Sequence, residues 1–329
     1  MPGRAECRRV TVRLTSGPDE GDAASFDISG PVEIGVGDRV RVSATGVPEG
    51  AQIGGVPADR YAFSDFERRS ALLWLTIAFA AVVIVTSRWR GLRALTGLAG
   101  SLVIVVAFVV PAILEGSEPV AVAVIGSLGV MLVTIPLAHG LGTTTIAACL
   151  GTACALMLTA ALAVLATDLA HITGLASEEA TFLSATTTDL SIQGLLLAGI
   201  VIGALGVLDD LTVTQASVVM ALRRSDPSAG SRHLFREALS VGHDHIAATV
   251  NTLVLAYVGA SLPVLLVFSV AGTSTSDAVN SEVVAGEVVA TLVGSIGLIA
   301  AVPITTAIAA VLATRVEPAR LADAHGHVH

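Results

Sequence analysis

In the segment GIVIGALGVLDDLTVTQAS (199–217), Gly199, Gly203, Gly206, Asp210, Thr214 and Ser217 recur at intervals of three and four residues. That spacing stacks side chains on one face of a helix. A carboxylate within an apolar helix can bind a proton or a cation, and small residues beside it let a second helix approach and turn it toward a bundle interior. Gly199, Gly203 and Gly206 are therefore expected to pack helices. Asp210 belongs to this face, while Asp209 points about 100° away on the same helix. Asp210 is thus the favoured ion-pathway residue, with Asp209 and Thr214 beside it. The competing reading puts both carboxylates near the cytoplasmic end of their span, within reach of water. A second polar group, Asn251, lies in HIAATVNTLVLAYVGASLPVLL (245–266), where a primary amide needs a hydrogen-bond partner. It is read either as a neutral ligand for the same ion or as a tether between helices. Gly259, two turns on, is a packing position, and Tyr257 and Pro263 mark a local irregularity.

Other chemistries are poorly represented. All eighteen basic residues are Arg, so Schiff-base chemistry, which needs a Lys, is excluded. The sequence contains no H-E-x-x-H, G-x-S-x-G, Walker or dinucleotide phosphate loop, and a non-enzymatic role without cofactor is expected. A membrane aspartyl protease would need carboxylates facing each other from two helices, which adjacent Asp209 and Asp210 do not provide. His243 and His245, and the run from His325 to His329, raise a metal site, but alternating His residues do not share a helical face, and no metal is expected. His139 and Gln193 sit near span ends and are read as wetted. Cys7, Cys149 and Cys154 form no framework and are read as packing residues.

These residues need a membrane around them. The chain is 53% hydrophobic and 14% charged, with a mean hydropathy of +0.79. The spacing predicts a mostly α polytopic bundle of about seven helices, near 70–87, 92–114, 119–138, 145–167, 192–211, 247–270 and 287–313. Each stretch suffices to cross about 30 Å of hydrocarbon. Residues 8–46 alternate in short runs, such as Val10-Thr-Val-Arg-Leu14 and Asp38-Arg-Val-Arg-Val42, and predict a small β domain within residues 1–69. Residues 47–69 read as an irregular connection, with Tyr61, Phe63 and Phe66 at the membrane surface.

Arg sets the orientation. Arg88, Arg90 and Arg93 follow the first span, Arg223, Arg224, Arg232 and Arg236 follow the fifth, and Arg315 and Arg320 lie in the tail. The alternate loops are acidic, with Glu115, Glu118, Asp168, Glu178, Glu179, Asp189, Asp277 and Glu282. The positive-inside rule therefore puts the β domain outside and the His-rich tail (314–329) in the cytoplasm; Arg68 and Arg69 are the one discordant pair. No charged-then-apolar leader precedes the β domain, so an apolar helix upstream in the native gene is expected.

The stretches RWRGLRALTGLAGSLVIVVAFVVPAILEG (88–116), GALGVLDDLTVTQAS (203–217) and NTLVLAYVGASLPVLLVF (251–268) resemble the YibE/YibF-like membrane proteins of bacteria, over about residues 60–313. The resemblance implies the cytoplasmic membrane of a bacterium, and the Arg-only, Ala- and Val-rich composition suggests a high-GC one. In that family one Asp follows the Gly-Ala-Leu-Gly stretch; Asp210 matches it and Asp209 is an addition. Longer members carry a further helix before the external domain. The family fixes no substrate. The residues favour a transporter or channel for a small ion or solute, with the bilayer as its surroundings, no nucleic-acid partner, and a homo-oligomer compatible with the sequence. The alternative is an assembly or envelope-sensing protein acting through its external domain.

Overall fold

The computed structural model describes residues 7–30, 32–47, 52–53, 56–57, 59–187 and 190–315. Asp189, Arg320 and the histidines of 325–329 lie outside the described residues. The chain divides into two compact units, Met1–Val85 and Thr86–His329.

The first unit opens with an antiparallel pair, β1 (Arg8–Arg13) and β2 (Ala23–Ile28), in which Val10 faces Phe26. Alternation places Ala24, Phe26 and Ile28 on one face of β2, and these are its buried hydrophobic residues. The strand β3 (Val40–Ala44) is followed by the short pair β4 (Gln52–Ile53) and β5 (Val56–Pro57) and by β6 (Tyr61–Phe66). β6 pairs antiparallel with β3 across an irregularity between Arg41 and Val42. The expected irregular connection over 47–69 is thus corrected, since its aromatic end is a strand. Tyr61 donates to the Asp19 carboxylate, which raises the phenol above its ordinary pKa. Phe63 and Phe66 meet edge to face at 5.5 Å between ring centres. Ion pairs from Arg9 to Asp59 (3.1 Å) and Arg60 to Asp19 (2.9 Å) tie distant parts of this small domain together.

Six helices among the described residues are long and apolar enough to cross a membrane. The first runs through α1 (Arg69–Ile104), a π-helical turn (Val105–Val109) and α2 (Val110–Leu114). Its 46 residues would make a rod of about 69 Å, more than twice the hydrocarbon thickness. Arg88 interrupts it with φ 51°, ψ −128°, a positive-φ backbone that is uncommon outside glycine and breaks the regular helix. Arg88 falls at the predicted boundary between two spans, and the fold is compatible with seven crossings.

The second unit continues with α3 (Pro119–His139), α4 (Thr143–Leu169), short α5 (Glu178–Thr186), α6 (Ile192–Ser225), α7 (Ser231–Val270), short α8 (Thr275–Asn280) and α9 (Glu282–Arg315). Glu118 caps α3 by accepting from the N–H groups of Val120 (3.0 Å) and Ala121 (2.6 Å), ahead of Pro119, whose missing donor costs nothing at this position. The helices that hold the fifth and sixth predicted spans run beyond them on the side of their connecting turn. α6 runs on to Ser225 and α7 already starts at Ser231, leaving only Asp226–Gly230 as the turn. In that turn Ser228 donates twice to Asp226 and holds its carboxyl below the ordinary range.

α4, α6 and α9 form the centre of the bundle, with Ala147, Ala155, Val201, Ala216, Ala301 and Ala309 fully or nearly fully buried. Small residues allow this closeness. A Cβ on Gly151 would lie 2.8 Å from Thr305 Cβ, and one on Gly297 would lie 3.1 Å from Thr159 Cβ. Eight residues forward on α4 thus match eight residues back on α9, so the two run antiparallel with a glycine hollow and a threonine knob exchanged between them. At the Arg-poor end, the Glu282 carboxylate accepts from Thr173 N–H (2.7 Å), Gly174 N–H (2.6 Å) and the Thr173 hydroxyl (2.9 Å). Gly174 is required there: its φ is 83°, and a Cβ would lie 2.8 Å from Ile192 O. Glu282→Ala is expected to cost about 1–2 kcal/mol, the loss of a charged acceptor shared by three donors. At about 2–4 °C per kcal/mol for a chain of this size, the thermal midpoint in detergent should fall by several degrees.

Candidate functional site

Asp209 lies half-way along the 34 residues of α6, because the helix continues for about four further turns beyond it. The helix therefore does not end at the two carboxylates, where the predicted span near 192–211 stops. Their faces differ as well. Asp210 is exposed, whereas Asp209 is half-buried. Asp209 Oδ2 accepts from the Thr134 hydroxyl of α3 at 3.1 Å, and Asp209 Oδ1 is buried without a partner.

Asp209 borders a cavity of about 240 Å³ between the second half of α1, the π-helical turn, α3 and α6. Most of its lining is aliphatic; the polar groups are Ser101, Ser127, Thr134 and Asp209. The Ser127 hydroxyl is also buried and unpartnered. A buried polar group without a partner costs roughly 1–3 kcal/mol, so two on one cavity mark a place made to receive something polar. The π-helical turn belongs to the same wall. Val110 N–H reaches back to Val105 O, and Pro111, which has no N–H, cannot restore the α-helical pattern next to it. Such turns widen a helix locally and are frequent at functional sites. Val109 fits the hollow over Gly126, where a Cβ would collide with it.

On the other side of α6 the polar interior continues. Thr212 donates to Asp209 O at 3.1 Å and shares a 2.5 Å hydrogen bond with Thr152 of α4. Fully buried Gln215 donates to Ala238 O of α7 at 2.6 Å, its Oε1 unpartnered, beside Gly242. Sequence spacing missed these residues, although Asp209, Thr212 and Gln215 at intervals of three were its available trace.

The remaining predicted residues are dispersed. Gly199, Gly203 and Gly206 are exposed, and nothing lies within 4 Å of a Cβ built on Gly199, Gly206 or Gly259. The glycine stripe is therefore not a seam between helices of one chain, a correction whose reason is that α6 buries its opposite face through Leu197, Val201, Leu208 and Ala216. Thr214 is half-buried and Asn251 is exposed on α7, borders neither cavity, and is not brought to Asp209. Gln193 donates to Ile172 O at 3.0 Å, and His139 is exposed in the last turn of α3. His243 and His245 are exposed, and no cluster of metal-ligating side chains occurs among the described residues. The three cysteines are free, Cys7 and Cys154 exposed and Cys149 half-buried.

A family model described as YibE/F-like protein matches residues 75–315. The chain belongs to the YibE/F-like family. No curated protein and no solved structure matches it. The match takes in every element of this YibE/F-like bundle that borders Asp209, and it begins beyond β6, leaving the β domain outside it.

Proposed function

We propose that this YibE/F-like protein carries a small cation, the proton included, or a solute coupled to one, across the bacterial cytoplasmic membrane. Asp209 is the ionisable group in its path. One observation carries the reading: a carboxylate half-way along a membrane helix, one oxygen held by Thr134 and the other buried and unpartnered, faces a cavity among helices. Ionisable groups at such depth cost several kcal/mol and are kept where they serve ion or proton pathways. The Arg distribution supports an orientation with the turn between α6 and α7 in the cytoplasm and Glu282 outside. The test is charge movement on a solid-supported electrode, with purified protein in liposomes, against protons, alkali and divalent cations and common anions. A current driven by a cation gradient is the expected result. Silence across the panel from folded protein favours the second reading, an assembly or sensing role for the external β domain. That role draws support from the domain's position outside the family match, and it requires a stoichiometric partner that is lost when residues 1–60 are removed.

A further inference from the structure

Resting on that reading, we infer that the exposed glycine stripe of α6 is the floor of an aqueous cation route. It leads from the Arg-poor face to Asp209, with Glu287 as its second carboxylate and Tyr257 at its narrowing.

A second cavity, of about 340 Å³, lies between the first half of α6, the second half of α7 and the start of α9. Its lining is mostly apolar and includes Gly199, Tyr257, Glu282 and Glu287. Glu282 is engaged by the Thr173–Gly174 turn. Glu287 lies one and a half turns inside α9 and is half-buried, so a second carboxylate stands within an apolar span. The two cavities meet α6 on one row: Leu195 and Gly199 border the 340 Å³ cavity, and Ile202, Gly206 and Asp209 border the 240 Å³ cavity. Steps of four, three, four and three keep that row on one helical face. The ends are about 21 Å apart, fourteen residues at 1.5 Å each.

Tyr257 joins them. It borders the 340 Å³ cavity, and its hydroxyl lies 3.8 Å from where a Cβ on Gly203 would stand, one turn short of Gly206 in the 240 Å³ cavity. A phenol there offers a cation a polar atom and a ring face, and a Cβ at 203 would meet it at ordinary van der Waals distance. Asp210 supplies an independent reason to place water along this row. It is exposed on the same side as Gly199, Gly203 and Gly206, and a carboxylate half-way along an apolar helix faces lipid only at a cost of roughly 2.5–3.5 kcal/mol or more. Backbone carbonyls and small residues lining water avoid that cost. The ligand class is a small cation: Glu282, Glu287 and Asp209, a phenol and hydroxyls line the way, and among the described residues no basic side chain borders either cavity.

Two measurements test the route. In a background with Cys7, Cys149 and Cys154 replaced, single cysteines go in at Gly199 and Gly203, with Ser177→Cys as a wetted control and lipid-facing Leu266→Cys as a dry one. A membrane-impermeant methanethiosulfonate is added from the Arg-poor side. Gly199→Cys and Gly203→Cys should react about tenfold or more faster than Leu266→Cys, because the thiolate is the reacting form and hydrocarbon suppresses it. If Ser177→Cys reacts while both stripe positions stay as silent as Leu266→Cys, the stripe is covered by lipid or by a second copy and the route is wrong. In liposomes, Glu287→Gln and Tyr257→Phe should each lower the cation current severalfold. Both leaving it unchanged while Asp209→Asn removes it would overturn the route and keep Asp209 as the transport group. A wild-type protein silent on every cation, with reactive stripe cysteines, would overturn transport and keep the aqueous stripe.

Discussion

Replacing Asp209 by Asn is expected to lower the cation-driven current by about tenfold or more, whereas Asp210→Asn should leave most of it. The two residues are neighbours of the same chemistry, so the contrast isolates placement. Asp209 keeps one oxygen on Thr134, its other oxygen is buried and unpartnered, and the residue borders the cavity. The amide can still accept from Thr134 but cannot take up a proton or balance a cation. Loss of a charge-assisted contact costs about 1.5–3 kcal/mol, and each 1.4 kcal/mol is tenfold in binding. Asp210 is exposed and acts at most by raising the local cation concentration, an effect of about 0–1 kcal/mol for a solvated charge. Its Asn variant should therefore keep the current within about fivefold of wild type. The check is peak current at matched protein density, with Thr134→Val as an intermediate case that leaves Asp209 charged but removes its donor. If Asp210→Asn abolishes the current and Asp209→Asn does not, the transport group has been assigned to the wrong face of α6.

That face is where reading the sequence went astray, and the reason is specific to lipid. In a soluble helix a polar stripe faces water and an apolar one faces the core, so spacing alone tells inside from outside. In a bilayer both the bundle interior and the lipid side are apolar. The buried row of α6, with Leu197, Val201 and Leu208, looks like a lipid-facing row, and the Gly and Asp210 stripe looks like a packing seam. The mostly helical membrane architecture and the β strands were legible, because hydropathy and alternation do not depend on which helix meets which. The hydrogen bond of Asp209 was not, because its donor is Thr134 of α3, 75 residues away in sequence. Glu287 was missed for a related reason: it stands at the first residue of its apolar stretch and reads as a span boundary until Glu282 is seen to start the helix. The long α6 and α7 were cut short by their amphipathic ends, where Arg223, Arg232 and Arg236 lower the hydropathy without ending the helix.

The largest effect on folding is expected where α4 and α9 exchange hollow and knob. Gly151-x7-Thr159 and Gly297-x7-Thr305 carry the same spacing, and antiparallel packing places each glycine against the other helix's threonine. Gly151→Thr introduces a branched side chain where even a Cβ would lie 2.8 Å from Thr305 Cβ. Helix axes in a well-packed bundle move apart only by giving up contacts along their whole length. Overpacking of this kind costs about 1–3 kcal/mol and occasionally more, equivalent to a fall of about 2–12 °C in thermal midpoint at 2–4 °C per kcal/mol. Without a hydrophobic drive between helices in lipid, close van der Waals contact between small residues is a main source of association, so the loss should fall at the severe end. The double variant Gly151→Thr with Thr305→Gly moves the knob to the other helix and should recover at least half of the loss. Gly206→Ala, where nothing lies within 4 Å, should leave the midpoint unchanged or raise it slightly, since Ala favours helix over Gly by about 0.8–1 kcal/mol. Detergent-solubilised thermal unfolding of the four proteins distinguishes a seam held by shape from one held by apolar area. Only shape predicts that exchanging the two side chains restores what either substitution alone takes away.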